Sequence, residues 1–467
     1  MQGRQQVFYC IFQADRIDYW PVGASFRRDN PMHRTMVYLA ILSGCAIVAI
    51  GQDDMTPAGP PGSAQARMKT LNEIEPRSVI SSLPTTITNS GAYVVIANLV
   101  CTNNGHGIVV QADDVTIDLN GFTLLGSPGS QSGIKANGAP SHLFVRNGTI
   151  RGWGVSAIDA AEGRNCRYED ILAFSNGFNN TMAAFQFGSN TVAARCVAFT
   201  NKNAGFSIGL GSKIENCAAM KNGGMGMIVS RCCVLTGCTF SENAVHGLYS
   251  KESCLVSDCL SVSNNNMGFY LDWNSSVFHC AAAHNNSEGF SVGRVSTISG
   301  CSALRNGSHG FIIYNGSVIS ECSAYQNGGC GIRAFADASV RSCVASENAT
   351  DGISAQGGSC VSDCMVALHT NLNACGIYLS GGGMASRNTC RNNFYGIYAD
   401  SRATIADNHA VGNTNGIYAN TSSFVIRNQA CGSVVTNYFL GGTCMYGPIV
   451  SGSGVITNAN PFANLSL

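Results

Sequence analysis

The chain has 467 residues, no formal net charge at pH 7, and only 12% charged residues. It carries no basic field of the kind that binds nucleic acid and no acidic run that would store cations. Glycine is frequent, with 54 residues, as in an all-β chain rich in turns. We therefore expect no nucleic-acid partner.

The first notable segment is apolar. Residues 36–50 form an uncharged stretch behind His33 and Arg34, short for a membrane span and suited to a signal peptide. We predict a signal peptide at 32–51, with residues 1–31 as an upstream extension or a mis-assigned start and Met32 or Met36 as the true start. A core strand or a short membrane anchor is the alternative.

Two processing routes compete for this segment. Residues 42–45 resemble a lipobox that would place a lipid on Cys45, whereas residues 49–51 offer a small-x-small cleavage site before Gln52. We favour ordinary cleavage, which leaves no integral membrane domain and an extracytoplasmic protein. Residues 52–64 are predicted to be a Pro/Gly linker. Residues 65–92 are predicted to be an N-terminal cap, with Met68, Leu71 and Ile74 at helical spacing.

A repeat of 21 residues follows. Three residue types recur at this interval: cysteine at Cys196, Cys217, Cys238, Cys259, Cys280, Cys301, Cys322, Cys343 and Cys364; asparagine at Asn201, Asn222, Asn243, Asn264, Asn285, Asn306, Asn327 and Asn348; and glycine at Gly205, Gly226, Gly247, Gly268, Gly289, Gly310, Gly331 and Gly352. A fixed short period predicts one coil of a solenoid per repeat. Short alternating runs after each glycine predict strands, and helical solenoids are excluded.

These observations predict an all-β fold, a single-stranded parallel β-helix of about fourteen coils with 20–21 residues per coil. We place it at residues 93–440, with residues 441–467 as a C-terminal cap or tail. Each repeat column becomes a ladder at the strand spacing, so the asparagines are expected to pass amide hydrogen bonds along the stack. The glycines are expected at a positive φ or a close backbone approach.

The cysteine ladder is interpreted as buried free thiols. Parallel Cα–Cβ vectors keep neighbouring Cβ atoms about 4.8 Å apart, which is beyond the usual disulfide range. One cysteine per coil in a single column also supplies no tetrahedron, so we predict no metal site and no cofactor. Cys431 and Cys444 are the best disulfide candidates.

The repeat resembles the right-handed parallel β-helix of the pectin-lyase-like superfamily, with its apolar residue, Asn or Cys, and Gly-Ile or Gly-Phe pattern. Residues 112–122 and 145–152 resemble the opening coils of secreted bacterial members without assigned activity. The resemblance implies the fold and a right-handed coil. That superfamily includes pectate lyases, polygalacturonases, alginate epimerases, phage tailspikes and adhesins, so the resemblance does not select an activity.

The residue two positions after each glycine is predicted to point outward, which gives a lateral stripe rich in tyrosine. Aromatic rings stack on sugars, and carboxylates or arginine bind hydroxyls and uronates. The predicted ligand-binding residues are Tyr249, Tyr270, Asp272, Arg333, Tyr378, Tyr398 and Tyr418. The alternative is that tyrosine simply tolerates an exposed strand face.

Catalytic residues are not identified by any motif. The nearest constellations are His284, Glu288, Arg305 and His309 on adjacent coils, and Asp114 with Asp118 on one strand face. We predict an exported protein whose lateral face binds polysaccharide or a cell-surface partner. The alternatives are a polysaccharide lyase, hydrolase or epimerase of the pectin-lyase-like type, and a structural or adhesive surface rod.

Overall fold

The repeating unit of the fold is a coil of three short strands. The computed structural model describes residues 76–179, 181–369, 371–452 and 458–467. Within these ranges all of the fifty-one regular elements are strands. In one coil the strands are Phe269–Leu271, Ser276–Phe278 and Ala281–Ala283. Each pairs in parallel with its equivalent in the next coil, which confirms the predicted all-β parallel solenoid.

The first stack contains the strands that follow the repeat glycines, and it carries the lateral face. Its strands are Thr85–Ile87, Ile108–Val110, Ile134–Ala136, Ile158–Arg164, Phe185–Ser189, Phe206–Ile208, Met227–Val229, Leu248–Ser250, Phe269–Leu271, Phe290–Val292, Phe311–Ile313, Ile332–Ala334, Ile353–Gln356, Cys375–Ser380, Tyr395–Ser401, Asn415–Thr421 and Thr436–Leu440. They number seventeen, so the described chain forms about seventeen coils, where the sequence predicted about fourteen.

The second stack contains the strands that precede the ladder cysteines and their equivalents. Its strands are Ser78–Ile80, Gly91–Val95, Val115–Asp118, Phe144–Arg151, Arg167–Phe174, Val192–Ala194, Lys213–Glu215, Val234–Thr236, Leu255–Ser257, Ser276–Phe278, Thr297–Ser299, Val318–Ser320, Ser339–Arg341, Cys360–Ser362, Gly383–Ser386, Ala403–Ala406, Phe424–Ile426 and Met445–Tyr446.

The third stack contains the strands that follow the ladder cysteines. Its strands are Leu99–Val100, Thr123–Leu125, Val197–Phe199, Ala218–Met220, Thr239–Ser241, Leu260–Val262, Ala281–Ala283, Ser302–Leu304, Ser323–Tyr325, Val344–Ser346, Met365–Ala367, Thr389–Arg391, His409–Val411, Gln429–Cys431, Ile449–Ser451 and Asn464–Ser466. The long strands Phe144–Arg151 and Arg167–Phe174 extend through both the second and third stacks.

The strands extend beyond the residues assigned to the solenoid from sequence. The first, Ser78–Ile80, lies inside the segment expected as a cap, and the last, Asn464–Ser466, lies inside the expected tail. The segments predicted as a signal peptide and a linker, with Cys45 and the helix-spaced Met68, Leu71 and Ile74, lie outside the described residues.

The interior is formed by inward side chains that stack on their own equivalents. Phe269, Phe290 and Phe311 are fully buried, and their ring centroids lie 4.8 and 4.9 Å apart in nearly parallel planes. This spacing equals the separation of paired strands, because the side chains rise with the backbone. Each of these three coils therefore adds one ring to the core, and the coils on either side continue the column with Leu248 and Ile332.

The repeat asparagines form a hydrogen-bonded ladder, which confirms their predicted structural role. The backbone N–H and side-chain amide of Asn264 both donate to Oδ1 of Asn285, at 3.1 and 3.0 Å. Asn285 repeats both bonds to Asn306, and its amide also donates to the Ser261 carbonyl at 3.1 Å. Every ladder asparagine is buried. The repeat glycine beside it is needed for close approach, because a Cβ on Gly268 would lie 2.7 Å from the carbonyl oxygen of Gly289.

The ladder cysteines are free and at most 2% exposed. They do more than fill space, because the backbone N–H of Cys259 donates to Sγ of Cys280 at 3.4 Å and that thiol lies 3.7 Å from the Val256 carbonyl. After Cys364 the column continues with asparagine: the Cys364 N–H donates to Oδ1 of Asn388 at 3.0 Å. Thiols and amides thus occupy one hydrogen-bonding position.

The disulfide prediction for Cys431 and Cys444 was wrong, because both are free. Cys431 ends a third-stack strand with its sulfur 3.8 Å from Nε2 of His409. The sulfur of Cys444 instead lies 3.6 Å from the carbonyl of Ala419 in the first stack. The two thiols have separate partners on different stacks, so no bond joins them.

Replacing Asn285 with alanine is expected to lower the free energy of unfolding by about 3 kcal/mol, because buried donors and acceptors in two neighbouring coils lose their partner. Asn286→Ala is the control, since Asn286 is exposed and its amide donates only to Asn265; it should change stability by less than about 0.5 kcal/mol. Urea unfolding of both variants checks this, and equal effects would contradict the ladder's role.

The ladder contains one histidine. The N–H of Asn348 donates to Nδ1 of His369 at 3.2 Å, and the N–H of His369 donates to Asn393 at 3.3 Å. Nε2 of His369 is buried with no protein partner. Burial lowers the pKa of His369 to about 4, well below the usual value of about 6.5. The neutral imidazole therefore substitutes for an amide here.

Unfolding exposes His369 and restores its usual pKa, so the unfolded chain binds the proton first as pH falls. The contribution of His369 to the free energy of unfolding is complete above about pH 6.5, and it decreases as the pH falls from about 6.5 to about 4. The wild type should lose about 2 kcal/mol more than His369→Asn between pH 7.5 and pH 5. Urea unfolding at both pH values measures the difference. His279→Asn, at an exposed histidine, should match the wild type, and an unchanged pH dependence in His369→Asn would refute the assignment.

Candidate functional site

The lateral face of the first stack has the orientation predicted from the repeat. In the strand Phe269–Leu271, the flanking Phe269 and Leu271 are buried and Tyr270 between them is partly exposed. The same alternation places Tyr249, Arg333, Tyr378, Tyr398 and Tyr418 outward. Strand pairing brings Tyr249 beside Tyr270, and Tyr378, Tyr398 and Tyr418 into one row. The predicted binding residues therefore form two groups on one face.

The first group lies in what we call the central groove, formed by His246, Tyr249, Tyr270, Asp272, Trp273, Glu288, Ser291, Arg294, His309, Ile312, Tyr314 and Arg333. Its floor is low in the middle: Ser291 and Ile312 point outward but are only 2% and 8% exposed. Larger side chains on the flanking coils rise above them. The face is thus concave here.

Aromatic rings line one end of the central groove. Tyr249 and Tyr270 stack with centroids 5.3 Å apart and an interplanar angle of 7°. The ring of His246 stacks on Tyr270 at 5.9 Å. Farther along, Tyr314 stacks on Phe335 at 4.8 Å. These rings present flat apolar surfaces of the kind that contacts the C–H faces of sugars.

A cavity of about 280 Å³ opens beside these rings, lined by Tyr270, Leu271, Asp272, Trp273, Gly293, Arg294 and Tyr314. The Trp273 side chain is 57% exposed, which is unusual for so large an apolar group. Gly293 leaves room for it, because a Cβ there would lie 2.8 Å from Cδ1 of Trp273. Sequence reasoning missed Trp273 and Arg294. Their signal was a tryptophan in a turn beside the outward column, in a chain with only three tryptophans.

His309 is held as a neutral hydrogen-bond donor. The Cys330 N–H donates to its Nδ1 at 2.9 Å, so in the neutral ring the proton is on Nε2. Burial and then the Arg333 guanidinium lower the pKa of His309, while Glu288 opposes them. NH1 of Arg333 lies 3.4 Å from Nε2. Both groups therefore direct N–H bonds into the same part of the groove.

Glu288 lies between two histidines of the groove. Its carboxylate accepts hydrogen bonds from the hydroxyls of Ser287 and Ser308. Burial lowers the pKa values of both His246 and His309, and the Glu288 carboxylate opposes this by raising them. Nδ1 of His246 is buried and has no protein partner.

Two members of the candidate catalytic set His284, Glu288, Arg305 and His309 lie outside the groove. His284 and Arg305 occupy left-handed bends after third-stack strands, at φ 56° and 50°. Nε of Arg305 donates to Gln326 in the next coil at 2.7 Å. Within the described residues, no hydrogen bond or ion pair joins His284 or Arg305 to Glu288 or His309. The structure thus brings only half of this set together.

The acidic pair near the N-terminal end is divided between different environments. Asp118 is 6% exposed and accepts from Arg77 at 3.2 Å and from Arg146 at 3.0 Å. Asp114 is exposed in a left-handed bend, with Oδ1 2.9 Å from Nδ1 of His142. Arginine partners saturate Asp118, which is the arrangement of a structural ion pair.

The second group of predicted binding residues forms a tyrosine row. Tyr398 and Tyr418 stack at 5.1 Å and 7°, and Tyr418 stacks on Phe439 at 4.2 Å. The hydroxyl of Tyr378 donates to Asp400 at 3.2 Å, and Asn420 donates to the hydroxyl of Tyr398 at 2.8 Å. The hydroxyls of Tyr378 and Tyr398 are thus each bound by the following coil, which orients these two rings.

In the ranges given above, no three histidine, cysteine or acidic side chains cluster so as to hold a metal ion. The same ranges contain no helix long and apolar enough to cross a membrane.

Comparison with known proteins agrees with this architecture. Residues 248–386 match the family described as "Right handed beta helix region", and the protein is a right-handed parallel β-helix protein. No curated protein sequence matches the chain.

Similar solved structures include the periplasmic alginate epimerase AlgG, at 13% identity, 65% of this chain, 78% of that chain and a TM-score of 0.39. They also include the Azotobacter vinelandii mannuronan C-5 epimerase AlgE4 A-module, at 14% identity, with 77% of this chain and 91% of that chain covered and a TM-score of 0.32. A third is tailspike protein 3 of bacteriophage CBA120, at 12% identity, with 73% of this chain and 56% of that chain covered and a TM-score of 0.33. Similarity at this level carries no argument about function.

Proposed function

We propose that the central groove binds an acidic polysaccharide. The observation that carries this proposal is the pair of arginines at the groove. Within the described residues, neither Arg294 nor Arg333 has an ion pair with a protein carboxylate, whereas Arg195, Arg387 and Arg427 are each paired with an aspartate. A uronate carboxylate is the complementary ligand, since a guanidinium binds it with two parallel hydrogen bonds.

The aromatic residues supply the second half of such a site. Trp273, Tyr270 and Tyr314 border the same cavity as Arg294. Rings that stack on sugar faces beside a cation that binds the carboxylate would select a uronic acid over a neutral hexose. Because equivalent positions recur about every 4.8 Å along the stack, an extended polymer fits this face better than a single sugar.

A binding role is favoured over catalysis by the state of His309. Lyase and epimerase chemistry requires a base that removes a proton next to a carboxylate stabilised by a cation. His309 has its Nδ1 lone pair engaged by Cys330, so its Nε2 donates and does not accept. We therefore assign His309 and Arg333 together to recognition of the carboxylate.

The remaining proposals concern location and partners. We propose an extracytoplasmic protein, supported by the apolar residues 36–50 behind a basic flank. Its partner would be a polysaccharide carried by a cell surface or matrix. Nucleic acid is not expected, given a charged fraction of only 12% and zero net charge.

Arg333→Gln and Trp273→Ala are each expected to weaken binding of a polyuronate oligosaccharide about tenfold, because each removes one carboxylate or stacking contact. Isothermal titration with oligogalacturonate and oligoalginate measures the affinities, and a neutral glucan of equal length should bind more weakly. Arg341→Gln is the control, since Arg341 is exposed on the second stack. Equal affinity of wild type and both groove variants would overturn the proposal.

No turnover is expected on these substrates. After long incubation of the protein with pectate and alginate, ultraviolet absorbance should reveal no unsaturated ends, and proton NMR should reveal no epimerised residues. Product that disappears in His309→Gln would show that the groove is catalytic and would refute the assignment of His309 as a donor.

A further inference from the structure

A second cavity on the lateral face differs in chemistry from the central groove. It has a volume of about 380 Å³ and is lined by Asp351, Asn373, Cys375, Tyr378, Tyr395 and Tyr398; we call it the tyrosine pocket. Two of its tyrosines belong to the strand Tyr395–Ser401 and one to the strand Cys375–Ser380. The lining includes no lysine, arginine or histidine.

The three rings of the tyrosine pocket do not form a simple stack. Tyr378 and Tyr398 are tilted by 37° with centroids 5.6 Å apart. Tyr395 stands nearly perpendicular to its neighbours, at 66° to Tyr398 and 70° to Tyr418. Ring surfaces therefore border the pocket in two orientations. The face of each ring carries the negative part of its quadrupole, which attracts cations.

The Asp351 carboxylate supplies the acidic group of the pocket lining. Its Oδ1 accepts the Cys375 N–H at 2.9 Å, which fixes the side chain. In the described residues it has no ion-pair partner, in contrast to Asp363 and Asp407, which arginines hold at 2.7 Å. Burial raises the pKa of Asp351. A carboxylate buried without a counter-ion is destabilising, and a bound cation would remove that penalty.

A second carboxylate lies near the rim. Asp400 accepts the hydroxyl of Tyr378 at 3.2 Å, and this interaction increases the electron density on the Tyr378 ring. Burial, with Asp400 in support, raises the pKa of Tyr378, so the phenol stays protonated. The lining of the tyrosine pocket therefore combines three aromatic rings with the acidic Asp351, and Asp400 adds a second acidic group through the Tyr378 hydroxyl.

We propose that the tyrosine pocket binds an organic ammonium group. A metal ion is a poor fit, because the lining offers one carboxylate and aromatic rings where metals require several converging oxygens. An alkylammonium fits both features, since it stacks on tyrosine faces and pairs with the carboxylate. The inference goes beyond the acidic polysaccharide proposed for the central groove, as it concerns another cavity and the opposite ligand charge.

Two common sources of this group are the protonated amine of an amino sugar and a choline-type quaternary ammonium. Each has a neutral counterpart of similar shape: glucose for glucosamine, and 3,3-dimethylbutan-1-ol for choline. Isothermal titration of the full chain with the four compounds is expected to show at least one cation binding at millimolar concentration or better. Its neutral counterpart should bind at least tenfold more weakly. Which cation binds identifies the source.

Variants locate the site. Asp351→Asn keeps an oxygen for the Cys375 N–H but removes the charge, so it should weaken cation binding at least tenfold; Tyr395→Leu should do the same, while Tyr395→Phe keeps the ring and the affinity. Asp258→Asn is the control, at an exposed acid between the second and third stacks. Three outcomes overturn the proposal. Neither cation binds, the neutral compounds bind equally well, or both Asp351→Asn and Tyr395→Leu keep the wild-type affinity. Uronate binding by Asp351→Asn, measured in parallel, separates this outcome from failure of the central-groove proposal.

Discussion

Parallel pairing of each coil with its equivalent in the next coil is the constraint on which the molecule depends. It sets one spacing for the backbone, for the stacked phenylalanines of the core, and for the amides that bond along the asparagine ladder. Polar side chains can then be buried in large number, because each is satisfied by an identical neighbour. The same position accepts cysteine in the middle of the chain and asparagine after Cys364. What the position requires is a small side chain that accepts the next backbone N–H.

This constraint also determines how a site can be built. Residues that meet on the lateral face are separated by a whole coil in sequence, so Glu288, His309 and Arg333 come from three different coils. The inward residues form the core, so a binding site is built from the outward columns and the turns. The face consequently changes character along its length. The central groove carries Arg294 and Arg333 beside Asp272 and Glu288, whereas the lining of the tyrosine pocket carries Asp351 and no basic residue. One scaffold can in this way present two sites of different chemistry.

Much of the fold could be predicted, and less of the site. The 21-residue period showed which columns face inward, and Tyr249, Tyr270 and Arg333 were correctly placed outward for that reason. Trp273 and Arg294 were missed because they lie in the turn after the strand, where the repeat does not define side-chain direction. Asp118 was proposed for catalysis on strand alternation alone. Its arginine partners lie 41 and 28 residues away, outside the 21-residue period. Cys431 and Cys444 were paired on proximity to the chain end, yet their sulfurs contact residues of different stacks.

By itself the sequence determined the architecture, because a hydrophobic and hydrogen-bonding pattern repeated at a fixed interval is satisfied only when successive units stack in register. It also determined which side of each first-stack strand is exposed, since alternation along a strand is local. Tertiary structure alone decided which of those exposed groups are free to bind. The residues that the adjacent coils bring beside a charged side chain decide whether it forms an ion pair, as Asp118 does. Within the described residues, Asp351 and Arg333 form none. These neighbours come from other coils, so the sequence of a single repeat does not show which side chains will lie beside one another.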